Sequence, residues 1–206
     1  MSVREGDRVR QGHIRARGSR QVDESELIAA VAAADRASFE RLYSLYERRV
    51  FQYTLTLVKD TATAEEIVID TMLAVWDGAT RFNRSSRVST WIFGIARHKA
   101  IDAIRRAGRG GKRVAIEEAA EVATAEPGPD DVAQQRAVQN TVGSAIRELS
   151  HEHREVLHLA FFEDLPYEEI ARLLSLPLNT VKTRVYYAKQ KLKAEMQRLT
   201  PMETAP

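Results

Sequence analysis

Apolar side chains in this chain recur at intervals of three or four residues, and no stretch alternates residue by residue as a half-buried strand would. Leu27, Ile28 and Val31 begin the pattern, and Phe39, Leu42, Tyr43, Tyr46, Val50, Tyr53 and Leu57 continue it. Ile67, Met72, Val75 and Trp76 form a second stripe, and Trp91, Ile92, Ile95, Ala96, Ile101 and Ile104 a third. Further on come Val138, Val142, Ile146 and Leu149, then Val156, Leu157 and Phe161, then a short helix from Ile170 to Leu174. A long helix over about 179–199 closes the series. Such a chain can only bury its apolar stripes helix against helix, so the fold class is all-α.

The breaks between stripes carry their own chemistry. Lys59-Asp60-Thr61 interrupts the first run, and Thr63 with Glu66 has the spacing of a capping box. Gly78 ends the next helix, Ser150 can cap another, Pro166 opens the short helix and Pro177 closes the turn after it. From 108 to 130 the character changes: Gly108, Gly110, Gly111, Pro127, Gly128 and Pro129 stand among Ala and Glu with no sustained period. That composition reads as a flexible linker between two small helical domains, 22–107 and 131–199. Residues 1–21, with six Arg and few large apolar groups, read as a flexible basic tail, and 200–206 as a short C-terminal one.

The net charge of +2 over 206 residues conceals an alternation. Residues 81–113 carry ten basic groups against the single acid Asp102, and 171–206 carry seven against two. The stretches before them are acidic, with eleven acids to five bases over 22–80 and thirteen to three over 114–170. Two separate basic blocks are the footprint of two anion-facing surfaces. The absence of cysteine excludes disulfide staples, thiol nucleophiles and Cys-ligated metals. His151, His153 and His158 lack the spacing of a zinc helix, and Gly108-Arg109-Gly110-Gly111-Lys112 lacks that of a phosphate loop. The reading is therefore a binding protein and not an enzyme, with no cofactor and no metal. No apolar run is long enough for a membrane span and no apolar signal core opens the chain, so the expected location is the cytoplasm.

The sharpest local signal lies at 168–181. Two helices cross closely when a small residue sits at the crossing, here Ala171. A tight turn follows four residues later at Ser175, where glycine is commoner, and Val181 packs the second helix back onto the first. This is a helix-turn-helix. Asn179 or Thr180 can cap its second helix, which offers Lys182, Thr183, Arg184, Tyr187 and Lys189 to a major groove and its phosphates. In the first domain, Arg84, Arg87, Arg97, Lys99, Arg105 and Arg106 interleave with Phe82, Trp91 and Phe93, a composition suited to single-stranded nucleic acid. Trp91, beside Ile92 and Ile95, reads as core.

Phe39-Glu40-Arg41-Leu42-Tyr43, Ala64-Glu65-Glu66-Ile67-Val68, Trp76, Ser89-Thr90-Trp91-Ile92-Phe93-Gly94-Ile95-Ala96-Arg97, Asp102 and Arg105-Arg106 resemble region 2 of extracytoplasmic-function (ECF) sigma factors. Arg154-Glu155-Val156, Tyr167-Glu168-Glu169-Ile170-Ala171 and Thr180-Val181-Lys182-Thr183-Arg184 resemble their region 4. The resemblance implies a bacterial transcription-initiation subunit whose partners are core RNA polymerase and promoter DNA, with an anti-sigma factor as a further partner. It implies −35 duplex reading by Asn179, Thr180, Lys182, Thr183, Arg184, Tyr187 and Lys189. It implies −10 recognition and melting by Asn83, Arg84, Ser85, Ser86 and Arg87 with His98, Lys99, Arg105 and Arg106. Core polymerase would dock on Glu65, Glu66, Ile69 and Asp70, with Ile67, Leu73 and Trp76 as core. The chain departs from the family pattern at Ile69, usually glutamine, at His98, usually asparagine, and at Tyr187, often basic. The closer rival is a two-domain helix-turn-helix regulator that never joins polymerase.

Overall fold

The computed structural model describes residues 23–109 and 142–199, and every described element is helical. The expected tail 1–21, most of the linker 108–130, the start of the second domain and the tail 200–206 lie outside the described residues. The first group of helices is α1 (Glu24–Ala32), α2 (Arg36–Val58), α3 (Thr61–Gly78) and α4 (Val88–Arg109), with a 3-10 turn at Ala79–Arg81. The second begins with residues 142–147, here α5, followed by α6 (His151–Leu157) and a π-helical turn (His158–Phe162). The helix-turn-helix pair follows, α7 (Tyr167–Leu174) and α8 (Leu178–Leu199).

Each start has a local cause. Asp23, Asp35 and Asp60 precede α1, α2 and α3, and each side chain accepts from backbone N–H groups of the first turn. At Asp60 the acceptor meets the Thr63 N–H at 2.7 Å. The cap of α3 is therefore Asp60, one residue before the helix, and not the Thr63–Glu66 box that spacing alone allows. Ser150 caps α6 as expected, through the His153 N–H. The α8 helix starts one residue earlier than its polar residues imply: Thr180 and Val181 N–H groups bond to the Pro177 carbonyl, so Asn179 and Thr180 lie inside the first turn.

In the first group α2 is central, packing on α1, α3 and α4. Leu42, Tyr46, Val50 and Tyr53 from α2 meet Ile67, Met72 and Val75 from α3 and Ile92, Phe93 and Ala96 from α4, all buried. Phe93 lies edge-on to Tyr53 at 5.3 Å. Gly78 lets the Trp91 indole close over the end of α3, since a Cβ there would stand 3.2 Å from the ring. In the second group Val156, Leu159, Ile170, Val181, Val185 and Ala188 form the buried seam between α6, α7 and α8.

The two groups also pack against each other, α6 on α2 and α7 on α4. One apolar cluster continues across the junction, and ion pairs are set into it. The Glu155 carboxylate accepts from the Tyr53 hydroxyl at 3.0 Å and from Arg97 Nε at 2.8 Å. The Glu163 carboxylate accepts from Arg49 Nε and Nη2 at 2.9 and 2.8 Å and lies 3.3 Å from His158 Nε2. The π-helical turn creates this geometry. Its extra residue closes a Glu163 N–H to His158 carbonyl bond, bringing His158 and Glu163 together beneath α2, with the imidazole 5.5 Å from the Tyr53 ring.

Candidate nucleic-acid interfaces and docking face

On α8 the residues expected to read DNA fall into three stripes. Asn179, Thr183 and Tyr187 share one, at i, i+4 and i+8, and all are exposed. Lys182 and Lys189 lie on the next, also exposed, while Thr180 and Arg184 turn towards α6. The Thr183 hydroxyl donates to the Asn179 backbone carbonyl at 2.8 Å. Arg184 is only partly exposed, its Nη2 held 3.0 Å from the Glu152 carboxylate. The Lys189 ammonium sits 4.6 Å from the centre of the Phe161 ring. Two exposed aromatics escaped the sequence reading: Phe162, and on α8 Tyr186, on the Lys182–Lys189 stripe and edge-on to Tyr187 at 5.5 Å.

The turn ahead of α8 takes the geometry that its small residue anticipates. Ser175 adopts φ 55° and ψ 45°, the left-handed region, and its N–H bonds to the Arg172 carbonyl while that of Leu176 reaches Ala171. Val181, fully buried, packs the second helix onto the first.

In the first group, residues 83–87 form a tight loop between the 3-10 turn and α4. The Asn83 side-chain oxygen accepts from the Ser85 N–H at 3.1 Å, and Arg84 follows a left-handed backbone at φ 58°. Ser86 donates from its hydroxyl to the Arg87 carbonyl. The loop is not free of the second domain. Arg172 of α7 donates to the Ser85 carbonyl at 2.9 Å, and Arg87 donates to the Asp164 carbonyl at 3.5 Å.

Along α4, His98 is exposed, with Nδ1 2.9 Å from the Gly94 carbonyl. Lys99 reaches the Asp70 carboxylate of α3 at 3.6 Å, and Arg105 reaches Asp102 at 3.5 Å. With Arg106 they line an open groove of about 440 Å³ between α3 and α4. Asp70, expected to face a polymerase, is thus paired within the chain to Lys99, expected to face DNA.

On the outer face of α3, Glu65, Glu66, Ile69 and Leu73 are exposed together. Leu73 was expected as core and is not: it is 56% exposed, as is Ile69. It lies six positions after Ile67, some 240° around the helix, whereas the buried stripe runs through Ala64, Ile67, Val68, Thr71, Met72 and Val75. Ile69 and Leu73, one turn apart, make an apolar strip beside two carboxylates.

His153 and His158 have structural partners. His153 Nδ1 lies 3.0 Å from the Ser150 hydroxyl, and burial followed by the nearby Lys191 lowers its pKa. His158 is buried against Glu163. Burial, then Glu155, pushes the Tyr53 phenol well above its ordinary range, so it remains a proton donor to Glu155. Burial works against the Arg49 charge, but Glu163, Tyr46 and Glu24 outweigh it and hold the guanidinium more firmly protonated than usual.

Residues 42–110 match the family model for Sigma-70 region 2, and residues 139–192 match that for Sigma-70 region 4. The ECF RNA polymerase sigma factor RpoE of Cereibacter sphaeroides is 32% identical over 163 residues, covering 79% of this chain and 88% of the relative. The ECF RNA polymerase sigma factor SigK of Mycobacterium tuberculosis is 28% identical over 172 residues, covering 83% and 92%. Among solved structures, the sigma factor RpoE of Bartonella quintana, in complex with the anti-sigma factor NepR, superposes with a TM-score of 0.62 at 25% identity, covering 80% of this chain and 98% of that one. CnrH, in complex with the cytosolic domain of CnrY, shares the fold with a TM-score of 0.60 at 21% identity, covering 84% and 97%. Two region matches in the same order, together with the 32% identical relative, place this chain in the ECF family of RNA polymerase sigma factors.

Proposed function

We propose that this sigma factor binds core RNA polymerase and directs initiation through two promoter contacts, a −35 duplex read by α8 and a −10 single strand held by the 83–87 loop and α4. The observation that carries the reading is the exposed stripe at the start of α8, Asn179, Lys182, Thr183 and Tyr187, on a helix pinned from behind by Val181 and Val185. Polar and cationic groups there suit base edges; Lys189 would take a flanking phosphate, and Arg184, beside Thr180, would do so on leaving Glu152.

For the −10 element, Asn83, Arg84, Ser85, Ser86 and Arg87 form a polar loop able to cup an extruded base, and His98, Lys99, Arg105 and Arg106 follow it along α4. Extruding a base costs a few kcal/mol of stacking. Contacts worth about 1–3 kcal/mol per captured base, together with cation–phosphate contacts, offset that cost without a nucleotide cofactor. Strand opening in this scheme is driven by binding alone. Core polymerase would dock on Glu65, Glu66, Ile69 and Asp70, with Leu73 extending the strip, so the contact joins an apolar pair to flanking carboxylates. The complex of the Bartonella relative with NepR supports an anti-sigma factor as a further partner.

The experiment is transcription of genomic DNA by purified bacterial core polymerase with and without the full chain, mapping transcript 5′ ends. Chain-dependent ends that share two upstream motifs are expected. No retention of the chain by core polymerase would overturn the reading in favour of a free-standing regulator. Lys182→Ala should weaken binding to the recovered promoters by about 1–3 kcal/mol while leaving core affinity unchanged.

A further inference from the structure

Glycine in the interior of a helix is destabilising relative to alanine, so a position that holds it calls for a reason. At Gly78 the reason is the Trp91 indole, which a Cβ would crowd at 3.2 Å. Gly94 is different. It lies in the second turn of α4, a helix of 22 residues. Apart from its own stretch of helix, no atom of the described residues stands within 4 Å of where its Cβ would be. Packing does not require glycine there, and what the missing side chain leaves is room. The hollow lies between Trp91, one turn before, and His98, one turn after, on one face of the helix. Trp91 packs on Phe82 with ring centres 5.1 Å apart, and Phe82 leads directly into residues 83–87. The face that carries the hollow therefore begins at the root of the loop assigned above to the −10 base.

His98 supplies the chemistry at one rim. Its Nδ1 lies 2.9 Å from the Gly94 backbone carbonyl. A carbonyl oxygen can only accept, so Nδ1 carries the proton, and in the neutral ring Nε2 is left with a lone pair and no hydrogen. Nε2 is on the far side of the ring from that bond. The side chain is exposed, and Nε2 has no partner among the described residues. The helix backbone thus fixes the imidazole as an acceptor that faces away from the helix, at the edge of a hollow.

We infer that Gly94 and His98 form a base-selecting notch, in which Nε2 accepts from the exocyclic amine of one extruded −10 base and so admits adenine or cytosine over guanine or thymine. The inference deepens the proposed function and rests on it for assigning this face to the −10 strand. Adenine carries an amine at C6 and cytosine at C4, where guanine and thymine carry a carbonyl oxygen. Against an amine, Nε2 gains a hydrogen bond. Against a carbonyl, two acceptors face each other, both stripped of water and neither paired. A site that leaves a polar group unpaired rejects the wrong partner more strongly than one that only loses a contact. The departure from the usual asparagine matters for this reason. A carboxamide has an acceptor and two donors on one rotatable group and can turn to meet either class of base, whereas an imidazole pinned at Nδ1 cannot.

The test uses holoenzyme, purified bacterial core polymerase with the full chain, and single-stranded −10 fragments of the promoters recovered by transcript mapping. Each position is set to all four bases, and binding is read by fluorescence competition. One position should favour adenine or cytosine over guanine and thymine by about tenfold or more, the size of one good base contact. Removing only the amine from the favoured base, with purine for adenine or pyrimidin-2-one for cytosine, should cost the same factor. His98→Asn should shrink the preference to about threefold or less, and His98→Arg, which can only donate, should reverse it towards guanine and thymine. A residue that merely shaped the helix could not give that reversal. Gly94→Leu fills the hollow with a better helix former, so it should weaken all four strands by about tenfold or more while the chain stays helical and bound to core polymerase. The absence of any position with an amine preference overturns the inference. So does a preference unchanged in both His98 variants, or full affinity in Gly94→Leu. Failure of core polymerase to retain the unaltered chain overturns the proposed function and carries this inference with it. Retention and −10 binding without the amine preference overturn this inference alone.

Discussion

The interior of each domain and the seam between the domains are both buried, and they are built from different materials. Inside the first domain Leu42, Val50, Ile67, Met72, Val75 and Ile92 meet with no charge among them, and inside the second Val156, Leu159, Ile170 and Val181 do the same. At the seam the groups that meet are Glu155, Glu163, Arg49, Arg97, His158 and the Tyr53 hydroxyl. Apolar burial is non-directional and cannot be exchanged for anything water offers. A buried ion pair roughly breaks even between its attraction and the hydration both partners give up, so it dictates geometry more than it adds stability. The domain interiors thus supply stability, and the charges of the seam fix how the domains meet.

The comparison breaks first if core and seam respond alike to truncation. Leu42→Ala and Ile170→Ala should each cost about 2–5 kcal/mol by emptying space that close packing cannot refill. Chemical unfolding should show each loss in its own domain, read by domain-specific labels. Equal destabilisation of both domains by either change would mean that the two interiors behave as one, and the contrast would fail.

A smaller and differently shaped effect is expected at the seam. Removing one partner of a buried pair ordinarily costs about 3–5 kcal/mol, because the other is left charged and dry. Here the stranded partner would have an escape if the domains part and let water reach it. The cost of Arg97→Ala or Glu155→Ala should therefore saturate at the free energy of docking, and the second substitution should add little to the first. A double-mutant cycle on thermal unfolding checks this. Full additivity would mean that the two residues do not act as a pair, and a cost matching the Leu42 truncation would mean that the seam is as permanent as the cores.

These two regions also differ in how far they can be read from sequence. The cores were legible because a helix announces its buried face locally: Leu42, Tyr46, Val50 and Tyr53 are spaced at three and four residues, and Ala171, Ser175 and Val181 mark a known crossing. The seam was not, because its partners stand 58 to 114 positions apart and each looks by itself like one more solvated charge. Glu155 and Glu163 sit in an acidic stretch and Arg97 in a basic one, so charge sums registered the complementarity without its address. The surface positions expected to meet DNA and polymerase were named from residue type. What residue type could not supply was their pairing within the chain, Asp70 with Lys99, Arg184 with Glu152 and Lys189 with Phe161. Leu73 failed for a geometric reason, an apolar residue counted into a stripe that lies on the opposite side of its helix.

The smallest expected effect separates domain stability from docking altogether. Ser175 holds a left-handed backbone at φ 55°, where a side chain costs about 1–2 kcal/mol that glycine does not pay, and it is exposed, so no packing depends on its hydroxymethyl group. Glycine is freer when unfolded, which offsets part of the gain. Ser175→Gly should therefore stabilise the second domain by about 1 kcal/mol or less, raising its unfolding midpoint by a few degrees. Its N–H bonds to the carbonyl of Arg172, a bond glycine keeps, so the reach of Arg172 to Ser85 and the docking of the domains should not change. A changed Arg97–Glu155 coupling without a shift in midpoint would mean that the helix-turn-helix turn feeds into docking, and that folding and docking are not the separable properties that their different materials imply.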